Sequence, residues 1–189
     1  FIGLGQMGKR MAANILRKGF PLQVYDIRKE AMDDLVQQGA NAADNLSQLG
    51  KRCNRIILSL PDESVVERVI FGTEGLKDSL EAGDTIIDCG TTHPGFTEKI
   101  AVELNKAGID FIDAPVSGTE SRAKDGTLTI MVGGDEQKCL KTYPLMEAMG
   151  QTIVYLGGSG KGQLGKMINN VLYNISCAAM AEILPMAVK

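Results

Sequence analysis

The chain has 189 residues and a formal net charge of −3, a balance that gives no reason to expect nucleic acid or an anionic membrane as a partner. No apolar run reaches the roughly 18 residues that a membrane-spanning helix requires. The sequence contains no tryptophan and few other aromatic residues, which argues against a base-stacking surface.

The four cysteines lie far apart in the sequence and there is a single histidine, so no zinc-binding pattern is present. Cysteines in apolar stretches are typical of a reducing compartment, and we expect a cytoplasmic location and no metal site. The chain starts without a Met or a basic segment and stops within a helical pattern. We therefore expect that residues are missing at both ends, and no signal peptide is visible.

The first eight residues place glycines at positions 3, 5 and 8, directly after an apolar pair and before a helical pattern. Such a turn lets the backbone approach a pyrophosphate, which lies on the free N–H groups of the following helix. We therefore predict a dinucleotide site; the alternative is a glycine-rich turn without a ligand. The cofactor-binding residues predicted here are Gly3, Leu4, Gly5, Gln6, Met7 and Gly8.

An acidic residue follows at the position that this fingerprint requires. Asp26 ends the next apolar run about 20 residues later, the spacing of a carboxylate that holds a ribose 2′-hydroxyl. Such a carboxylate repels a 2′-phosphate, so we expect NAD to be preferred, whereas Arg28 and Lys29 nearby favour NADP. The alternative role of Asp26 is to cap the segment around Arg28.

Beyond this turn, segments with strand and helix patterns alternate along the chain. The alternation predicts an α/β fold, a Rossmann-like and doubly wound sheet that is mostly parallel, with ligands at the carboxyl ends of the strands. The predicted elements are a helix from Gly8 to Gly19, a strand 22–25, a helix around 31–36 ended by Gly39, a strand 56–60, a helix around 65–70, a strand 85–88, a helix through 100–104, a strand 110–113, a strand 128–132, a helix 136–149 and a strand 152–156.

The glycine-rich stretch 157–160 predicts a hinge, and a long helical segment follows it over 163–189. A helix of this length measures about 40 Å, too long to cover a small sheet, so we expect it to lead into a second domain. The predicted division is residues 1–159 as the NAD(P)-binding domain and 160–189 as the first long helix of an all-α C-terminal domain.

The C-terminal helix also carries apolar residues at helical spacing that need a partner to cover them. We therefore expect the complete protein to be a homodimer or homotetramer. Pro185 lies inside the same helix and predicts a bend near Ala181. The apolar set comprises Leu164, Ile168, Val171, Leu172 and Ile175.

Four motifs together resemble the β-hydroxyacid dehydrogenases, which include 3-hydroxyisobutyrate dehydrogenase, tartronate semialdehyde reductase, 2-(hydroxymethyl)glutarate dehydrogenase and, more distantly, 6-phosphogluconate dehydrogenase. The resemblance covers essentially the whole chain, and the motifs are specific as a set. They are the glycine turn continued by Met11 to Asn14, Leu60-Pro61 followed by Asp88 to Thr91, the segment Asp113 to Gly118, and G-x-G-x-x-x-K-x-x-x-N from Gly160 to Asn170.

The resemblance implies roles for several residues. Lys166 maps to the catalytic acid/base of the family, and Asn170, which lies four residues later on the same helix face, orients the substrate or the lysine. Ser117 and Gly118 map to the segment that binds the substrate carboxylate, a ligand suited by a hydroxyl and backbone N–H groups. The loops that line the cofactor in the family map to Leu60, Pro61 and Thr91.

The sequence departs from the family pattern after Ser117-Gly118. A second glycine is usual there and Thr119 stands in its place, which either narrows the carboxylate pocket or adds a hydroxyl to it. The alternative for Ser117 is an ordinary turn serine, and the alternative for Lys166 is an exposed helix lysine.

The only histidine, His93, precedes a proline at a helix start, and we interpret it as a loop residue near the cofactor mouth rather than as a base. Unlike arginine, lysine readily changes its charge on burial, which suits Lys166 to acid/base work. We expect Gly162 and Gly165 to keep the approach to Lys166 free of side chains.

These features predict an oxidoreductase that transfers hydride between NAD, or NADP, and a small β-hydroxy carboxylic acid of the 3-hydroxyisobutyrate type or its semialdehyde. Lys166 would take the hydroxyl proton in oxidation and return a proton in reduction. The alternative is a non-catalytic nucleotide-binding module used in protein interaction. Such members of the family lose the lysine, and Lys166 is present here. We expect small molecules, and neither nucleic acid nor a membrane, as partners.

Overall fold

The computed structural model describes residues 1–187, and helices alternate with strands over most of this range. A short 3₁₀ helix, Leu76–Ser79, lies between the fourth helix and the fourth strand. The helices are α1 (Gly8–Arg17), α2 (Glu30–Gln37), α3 (Leu46–Arg52), α4 (Glu63–Phe71), α5 (Pro94–Asn105), α6 (Glu120–Asp125), α7 (Glu136–Met149) and α8 (Lys161–Ala187). The strands are β1 (Gln23–Val24), β2 (Asn41–Ala42), β3 (Arg55–Leu58), β4 (Thr85–Asp88), β5 (Asp110–Asp113), β6 (Val116–Ser117), β7 (Leu128–Gly133) and β8 (Gly150–Gly157).

Parallel pairing builds two groups of strands. β1 pairs with β2, and β3, β4 and β5 lie side by side, all in parallel. Ile2 joins the two groups, because it forms parallel bridges to both Tyr25 and Leu58. β7 and β8 are parallel to each other, but β7 runs antiparallel to β5 and β6. The predicted Rossmann-like and mostly parallel sheet is therefore confirmed, with a reversal at its β7–β8 side.

The reversal brings several strand ends to one place. β5 and β6 follow each other along β7, so that Asp113 at the end of β5 pairs with Gly133 at the end of β7. Gly157, the last residue of β8, pairs with Gly133 in turn. The chain therefore leaves the sheet close to Asp113, and α8 begins there.

Alternation along the strands divides the core into two apolar layers. Ile57 and Ile87 belong to one layer with residues of α1, α2 and α7, whereas Ile56 and Ile86 belong to the other with residues of α4 and α5. Burying a side chain of this size stabilises the fold by roughly 1.5–3 kcal/mol relative to exposure. Both faces of the sheet are thus covered by helices, which explains the continuous apolar runs of its central strands.

The predicted elements are present within a few residues of their expected bounds, and α7 has the predicted bounds. β2, α3, β6 and α6 were not among the predictions. Gly19 and Gly39 follow α1 and α2 with φ of +87° and +106°, which suits their predicted role as helix stops. α8 is helical past Ala181 as far as Ala187, so the bend near Ala181 stays a prediction, and the expected helix end at Lys189 lies outside the described residues.

Within residues 1–187, none of the helices combines the length and the apolar character that crossing a membrane demands. In the same range, no three side chains among His, Cys, Asp and Glu are grouped so that they could hold a metal ion.

Candidate functional site

The turn that opens the chain depends on two of its three glycines for steric reasons. Gly3 has a φ of +89°, and a Cβ atom there would collide with the carbonyl oxygen of Ser59. A Cβ atom at Gly8 would collide with the carbonyl oxygen of Gly3, so the first turn of α1 packs directly on the loop. Gly5 has nothing within 4 Å of its Cβ position, which leaves its backbone accessible to a ligand.

The backbone amides of residues 5–8 lie at the N-terminus of α1. None of these four amides donates to a protein acceptor within the described range, and Met7 gives α1 no side-chain cap. Unpaired amides at a helix start, together with the positive end of the helix dipole, bind anions such as phosphate. The arrangement fits a pyrophosphate group.

Asp26 holds the other side of this turn. One carboxylate oxygen accepts from the Leu4 amide at 2.7 Å, and the other accepts from the Arg28 amide at 2.9 Å and from Arg28 Nε at 3.3 Å. Partial burial raises the pKa of Asp26, but the hydrogen bonds and the Arg28 charge outweigh it, so this pKa lies below its ordinary value. Asp26 therefore holds the turn at Arg28 but is not the N-cap of α2, which has no side-chain cap, and it presents an ionised carboxylate beside the glycine turn.

Two further loops lie at the same edge of the sheet. Leu60 packs beside the glycine turn, and Pro61 is exposed at the start of the loop that leads to α4. Glu63 at the start of α4 accepts from the His93 amide at 2.5 Å and so joins this loop to the one that contains Thr91. His93 caps α5 through its Nδ1 atom, as befits a loop residue at a helix start.

The fully buried carboxylate of Asp113 caps the first turn of α8. One oxygen accepts from the Gly160 amide at 2.8 Å and the other from the Gln163 amide at 2.9 Å. Space for this carboxylate depends on glycine, because a Cβ atom at Gly133 or Gly162 would collide with it. Burial raises the pKa of Asp113, and the hydrogen bonds from the helix start oppose this rise. Asp113 thus binds α8 rather than pointing to a ligand.

Gln163 ties α8 to the loop that follows β4. Its side chain is 1% exposed; Nε2 donates to the Gly90 carbonyl at 2.9 Å, and Oε1 accepts from the Thr92 amide at 3.1 Å. Asp88 holds the same loop, because it accepts from the Gly90 amide at 2.9 Å. Its other oxygen is buried and has no partner within residues 1–187. Burial, opposed by the Gly90 hydrogen bond and aided by the charge of Asp113, raises the pKa of Asp88 to about 6.

The next turns of α8 carry Lys166 and reach the substrate-binding segment predicted from the sequence. Lys166 is half-buried, and burial alone lowers its pKa below the ordinary value for lysine. Asn169 Nδ2 donates to Ser117 Oγ at 3.3 Å. Gly118 has a φ of +146°, a conformation that side chains rarely adopt, and Thr119 is exposed just before α6.

Sequence reasoning selected Asn170 at this point, but Asn170 is exposed and its neighbour Asn169 makes the contact with Ser117. Residues three and four apart are both neighbours on a helix surface, so spacing from Lys166 alone could not decide between them. Gln163 lies three residues before Lys166, and the same spacing would have marked it as a candidate. The capping role of Asp113 had no signal in the sequence.

Gly162 and Gly165 serve a purpose other than the expected one. A Cβ atom at Gly162 would collide with the carbonyl oxygen of Met131, and one at Gly165 would collide with Cδ1 of Leu156. Both glycines therefore allow α8 to approach β7 and β8 closely. The expectation that they clear the approach to Lys166 is wrong, because their Cβ positions face the sheet.

Comparison with known proteins identifies relatives of the chain. Residues 1–157 match the family model of the NAD binding domain of 6-phosphogluconate dehydrogenase. Over all 189 residues the chain is 39% identical to 2-(hydroxymethyl)glutarate dehydrogenase of Eubacterium barkeri and 40% identical to 2-hydroxy-3-oxopropionate reductase of Escherichia coli K12. It covers 63% and 64% of these two proteins, and therefore spans less than two thirds of their length.

The fold is similar to that of a solved hydroxyacid dehydrogenase. The solved structure of Mycobacterium tuberculosis 3-hydroxyisobutyrate dehydrogenase with L-serine matches with a TM-score of 0.91 at 28% sequence identity. The match covers 97% of this chain and 62% of that protein, so this chain spans less than two thirds of the length of that protein.

Proposed function

Since this chain belongs to the β-hydroxyacid dehydrogenase family, we propose that the complete protein transfers hydride between NAD(P) and a small β-hydroxy carboxylic acid or its semialdehyde. One observation carries the proposal. The unpaired amides of α1, the ionised Asp26 and the start of α8 with its half-buried lysine all lie at the carboxyl edge of one sheet. In open α/β sheets this edge is where ligands bind.

The glycine turn fits a dinucleotide. The amides of residues 5–8 suit the pyrophosphate, the open space at Gly5 admits it, and Asp26 suits a ribose hydroxyl. Bound there, NAD(P) accepts or supplies the hydride. We assign cofactor contacts to Gly3, Leu4, Gly5, Gln6, Met7, Gly8, Asp26, Leu60, Pro61 and Thr91.

Asp26 supports a preference for NAD. Its carboxylate stays ionised and repels a 2′-phosphate, and the Arg28 guanidinium already pairs with it. We expect kcat/KM to be higher with NADH than with NADPH in steady-state assays of the complete protein. A clear NADPH preference would contradict this role for Asp26.

Lys166 is the proposed acid/base. A hydride leaves an alcohol carbon only when the hydroxyl proton is taken up, so a group must stand within hydrogen-bond reach of that oxygen. The lowered pKa of Lys166 increases the fraction of neutral amine, which can accept this proton, and the ammonium form returns it in reduction. Burial therefore allows Lys166 to accept the proton in oxidation and to return it in reduction.

We assign substrate binding to Ser117, Gly118 and Asn170, and we add Asn169 because its side chain donates to Ser117 Oγ. The Ser117 hydroxyl and the backbone at Gly118 can donate to a carboxylate. Asn169 holds the Ser117 side chain from α8 and lies three residues from Lys166. The carboxylate of a small acid bound at Ser117 would thus lie near the helix turn that carries the proposed base.

The chain division predicted from the sequence belongs to the same proposal. Residues 1–159 form the cofactor domain and 160–189 begin an all-α domain that, with a second subunit, covers the exposed apolar residues of α8 in a homodimer or homotetramer. Exposed apolar side chains along α8 support this assembly. The four free cysteines support a cytoplasmic location.

A turnover screen tests the proposal. The complete protein is assayed with 3-hydroxyisobutyrate, glycerate, 2-(hydroxymethyl)glutarate and short semialdehydes, each with both cofactors. We expect turnover of at least one compound. If none is turned over while calorimetry still detects NAD binding, the activity is wrong and a non-catalytic nucleotide-binding module becomes the better interpretation.

A further inference from the structure

The first turn of α8 is held from two neighbouring strand ends at once. Asp113 at the end of β5 accepts from two amides of the turn, at Gly160 and Gln163. The loop after β4 is bound by the Gln163 side chain, through the Gly90 carbonyl and the Thr92 amide. All of these groups are buried, so each bond is shielded from water and costly to leave unmade.

The Gln163 amide suits its two partners in a way that no other side chain of its size does. The NH₂ group meets an acceptor, the Gly90 carbonyl, and the oxygen meets a donor, the Thr92 amide. A glutamate would place an oxygen against the carbonyl, and a methionine would leave both backbone groups without a partner. The bonds therefore fix the rotation of α8 as well as its height above the loop.

Lys166 lies between two such fixed points. Gln163 precedes it by three residues and contacts the loop after β4, and Asn169 follows it by three residues and contacts Ser117. Residues at this spacing are neighbours on one side of a helix. The stretch that carries Lys166 is thus bound to the sheet at both ends, one turn on either side of the lysine.

We propose that Gln163 is a positioning residue, which, together with the Asp113 cap, sets the position of the Lys166 amine relative to the loops that follow β4 and β5. This inference rests on the proposed function for the role of Lys166 in turnover, but not for its geometry. Because a misplacement of about 1 Å in a catalytic group can cost on the order of 100-fold in rate, loss of the Gln163 bonds acts on kcat through Lys166.

The first test measures Lys166 without cofactor or substrate. The complete protein is labelled with a trace of acetic anhydride across a pH series, and mass spectrometry gives the midpoint of Lys166 reactivity. We expect the wild-type midpoint to lie below that of ordinary lysines, because Lys166 is half-buried and burial lowers its pKa. In Gln163→Met we expect it to move up towards ordinary lysines, since a turn released from the loop exposes the amine.

The matched control is Gln137→Met, at an exposed position on α7 without side-chain hydrogen bonds to described residues. It makes the same chemical change away from α8, and the Lys166 midpoint should not move. A folded Gln163→Met protein, with wild-type circular dichroism, whose Lys166 midpoint equals that of the control would overturn the proposal.

Turnover separates this inference from the proposed function. With a compound that the turnover screen identifies and NAD, kcat of Gln163→Met should fall by roughly 10-fold or more. The NAD dissociation constant should change less than kcat, because Thr91 is the one assigned cofactor contact in the loop that Gln163 holds. If the midpoint moves but the wild type turns nothing over, the positioning stands and the proposed activity fails. If the wild type is active and Gln163→Met keeps its kcat, the positioning role fails alone.

A second variant decides the matter if Gln163→Met does not fold. Gln163→Glu keeps the shape and one acceptor, and only its protonated form can donate to the Gly90 carbonyl. The Asp113 carboxylate at the same turn also disfavours the ionised form. The ratio of variant to wild-type kcat should rise as the pH falls. A ratio that stays flat between pH 5 and 8 would contradict the role of Gln163.

Discussion

The two halves of α8 differ in what holds them. Residues 161–169 are bound to the sheet by Asp113, Gln163 and Asn169 through buried or half-buried polar contacts. Residues 171–187 make no side-chain hydrogen bond to another element within the described range, and their large apolar side chains are exposed. These exposed residues are Val171, Leu172, Tyr173, Ile175, Met180, Ile183, Leu184 and Met186.

The two halves of α8 thus depend on different kinds of contact, hydrogen bonds in the first half and apolar burial in the second. Hydrogen bonds are directional, so the first half has one position in which each donor meets its acceptor. Apolar burial is not directional and depends on the area removed from water, so the second half accepts any partner surface of suitable shape. A helix of this kind can join a precisely placed lysine to an interface that tolerates exchange of its side chains.

The largest effect is expected when Lys166 is removed from the bound half of α8, residues 161–169. Lys166→Ala in the complete protein should lower kcat by roughly 100-fold or more, the usual share of a general acid–base group. NAD binding should change little, because the glycine turn and Asp26 are untouched. Steady-state kinetics and calorimetry measure the two quantities.

Lys161→Ala is the matched control, since Lys161 is exposed at the first position of α8. It removes the same charge and should leave kcat within about 2-fold, as is usual for an exposed surface position. A Lys166→Ala enzyme with near-normal kcat, or with NAD binding lost as badly as turnover, would show that Lys166 is not the acid/base.

The role of the second half of α8, residues 171–187, is tested by placing charged side chains on it. We expect the complete protein to be a dimer or tetramer by light scattering, and Leu172→Asp with Ile175→Asp should shift it to a smaller species. A charged side chain in an apolar interface is costly to bury, so the association should weaken strongly.

Val102→Asp provides the comparison, because Val102 on α5 and Leu172 are both 61% exposed. This control should leave the molecular mass unchanged. A wild-type monomer, or an equal effect of both changes, would mean that the exposed half of α8 does not mediate assembly.

The contrast between the two halves also separates what the sequence predicts from what it does not. Apolar periodicity predicts α8 and its exposed Val171 and Leu172 because each pattern is local. Gln163 and Asn169 bind partners more than 50 residues away, so nothing in their neighbourhood marks them. Spacing from Lys166 allowed either Asn169 or Asn170, and only the rotation of α8 on the sheet distinguishes them.

Short elements leave no local pattern in the sequence and are not predicted from it. β2 and β6 have two residues each, too few for a period to emerge, and α6 has six residues with one buried, Ala123. α3 begins with an Asn45 cap but holds only Leu49 and Gly50 in the core. The central strands β3, β4 and β5 have four residues each, and burial on both faces leaves continuous apolar runs such as Ile56 to Leu58, which predict them.

The buried carboxylates beneath the bound half make its stability depend on pH. Raising the pKa of Asp88 from an ordinary 3.8 to about 6 means that the folded protein holds this proton more tightly than the unfolded chain does. The contribution of Asp88 to stability therefore falls as the pH rises through about 4 to 6. The charge of Asp113, which faces Asp88, acts in the same direction.

Asp88→Asn removes the ionised carboxylate, whose burial lowers the stability of the folded protein at higher pH, and keeps an acceptor for the Gly90 amide. Its free energy of unfolding, measured with urea, should rise relative to wild type between pH 4 and 7, by roughly 3 kcal/mol at most. Asp33→Asn on the exposed side of α2 serves as the control and should give no such trend. If the difference in unfolding free energy between Asp88→Asn and the wild type stays constant with pH, the pKa of Asp88 is not raised in the folded protein.

Two glycines on the bound half give the finest test, because they differ mainly in what an added methyl would meet. At Gly162 the obstacles are the Met131 carbonyl and the Asp113 carboxylate, which are parts of the backbone and of the helix cap. At Gly165 the obstacle is one terminal methyl of Leu156, which can rotate away. A change to alanine gains about 1 kcal/mol in helix propensity in a helix interior, and less at Gly162, the second residue of α8.

Gly162→Ala should therefore be less stable than Gly165→Ala by roughly 1–3 kcal/mol, the usual cost of overpacking at a site that cannot relax. Urea unfolding of the two variants measures the difference directly, and the smaller propensity gain at residue 162 acts in the same direction. Because the new methyl at residue 162 pushes the first turn of α8 off Asp113, only this variant should also raise the Lys166 labelling midpoint. If the two variants are equally stable, the first turn of α8 is not held closely to the sheet, and the contrast between its halves disappears.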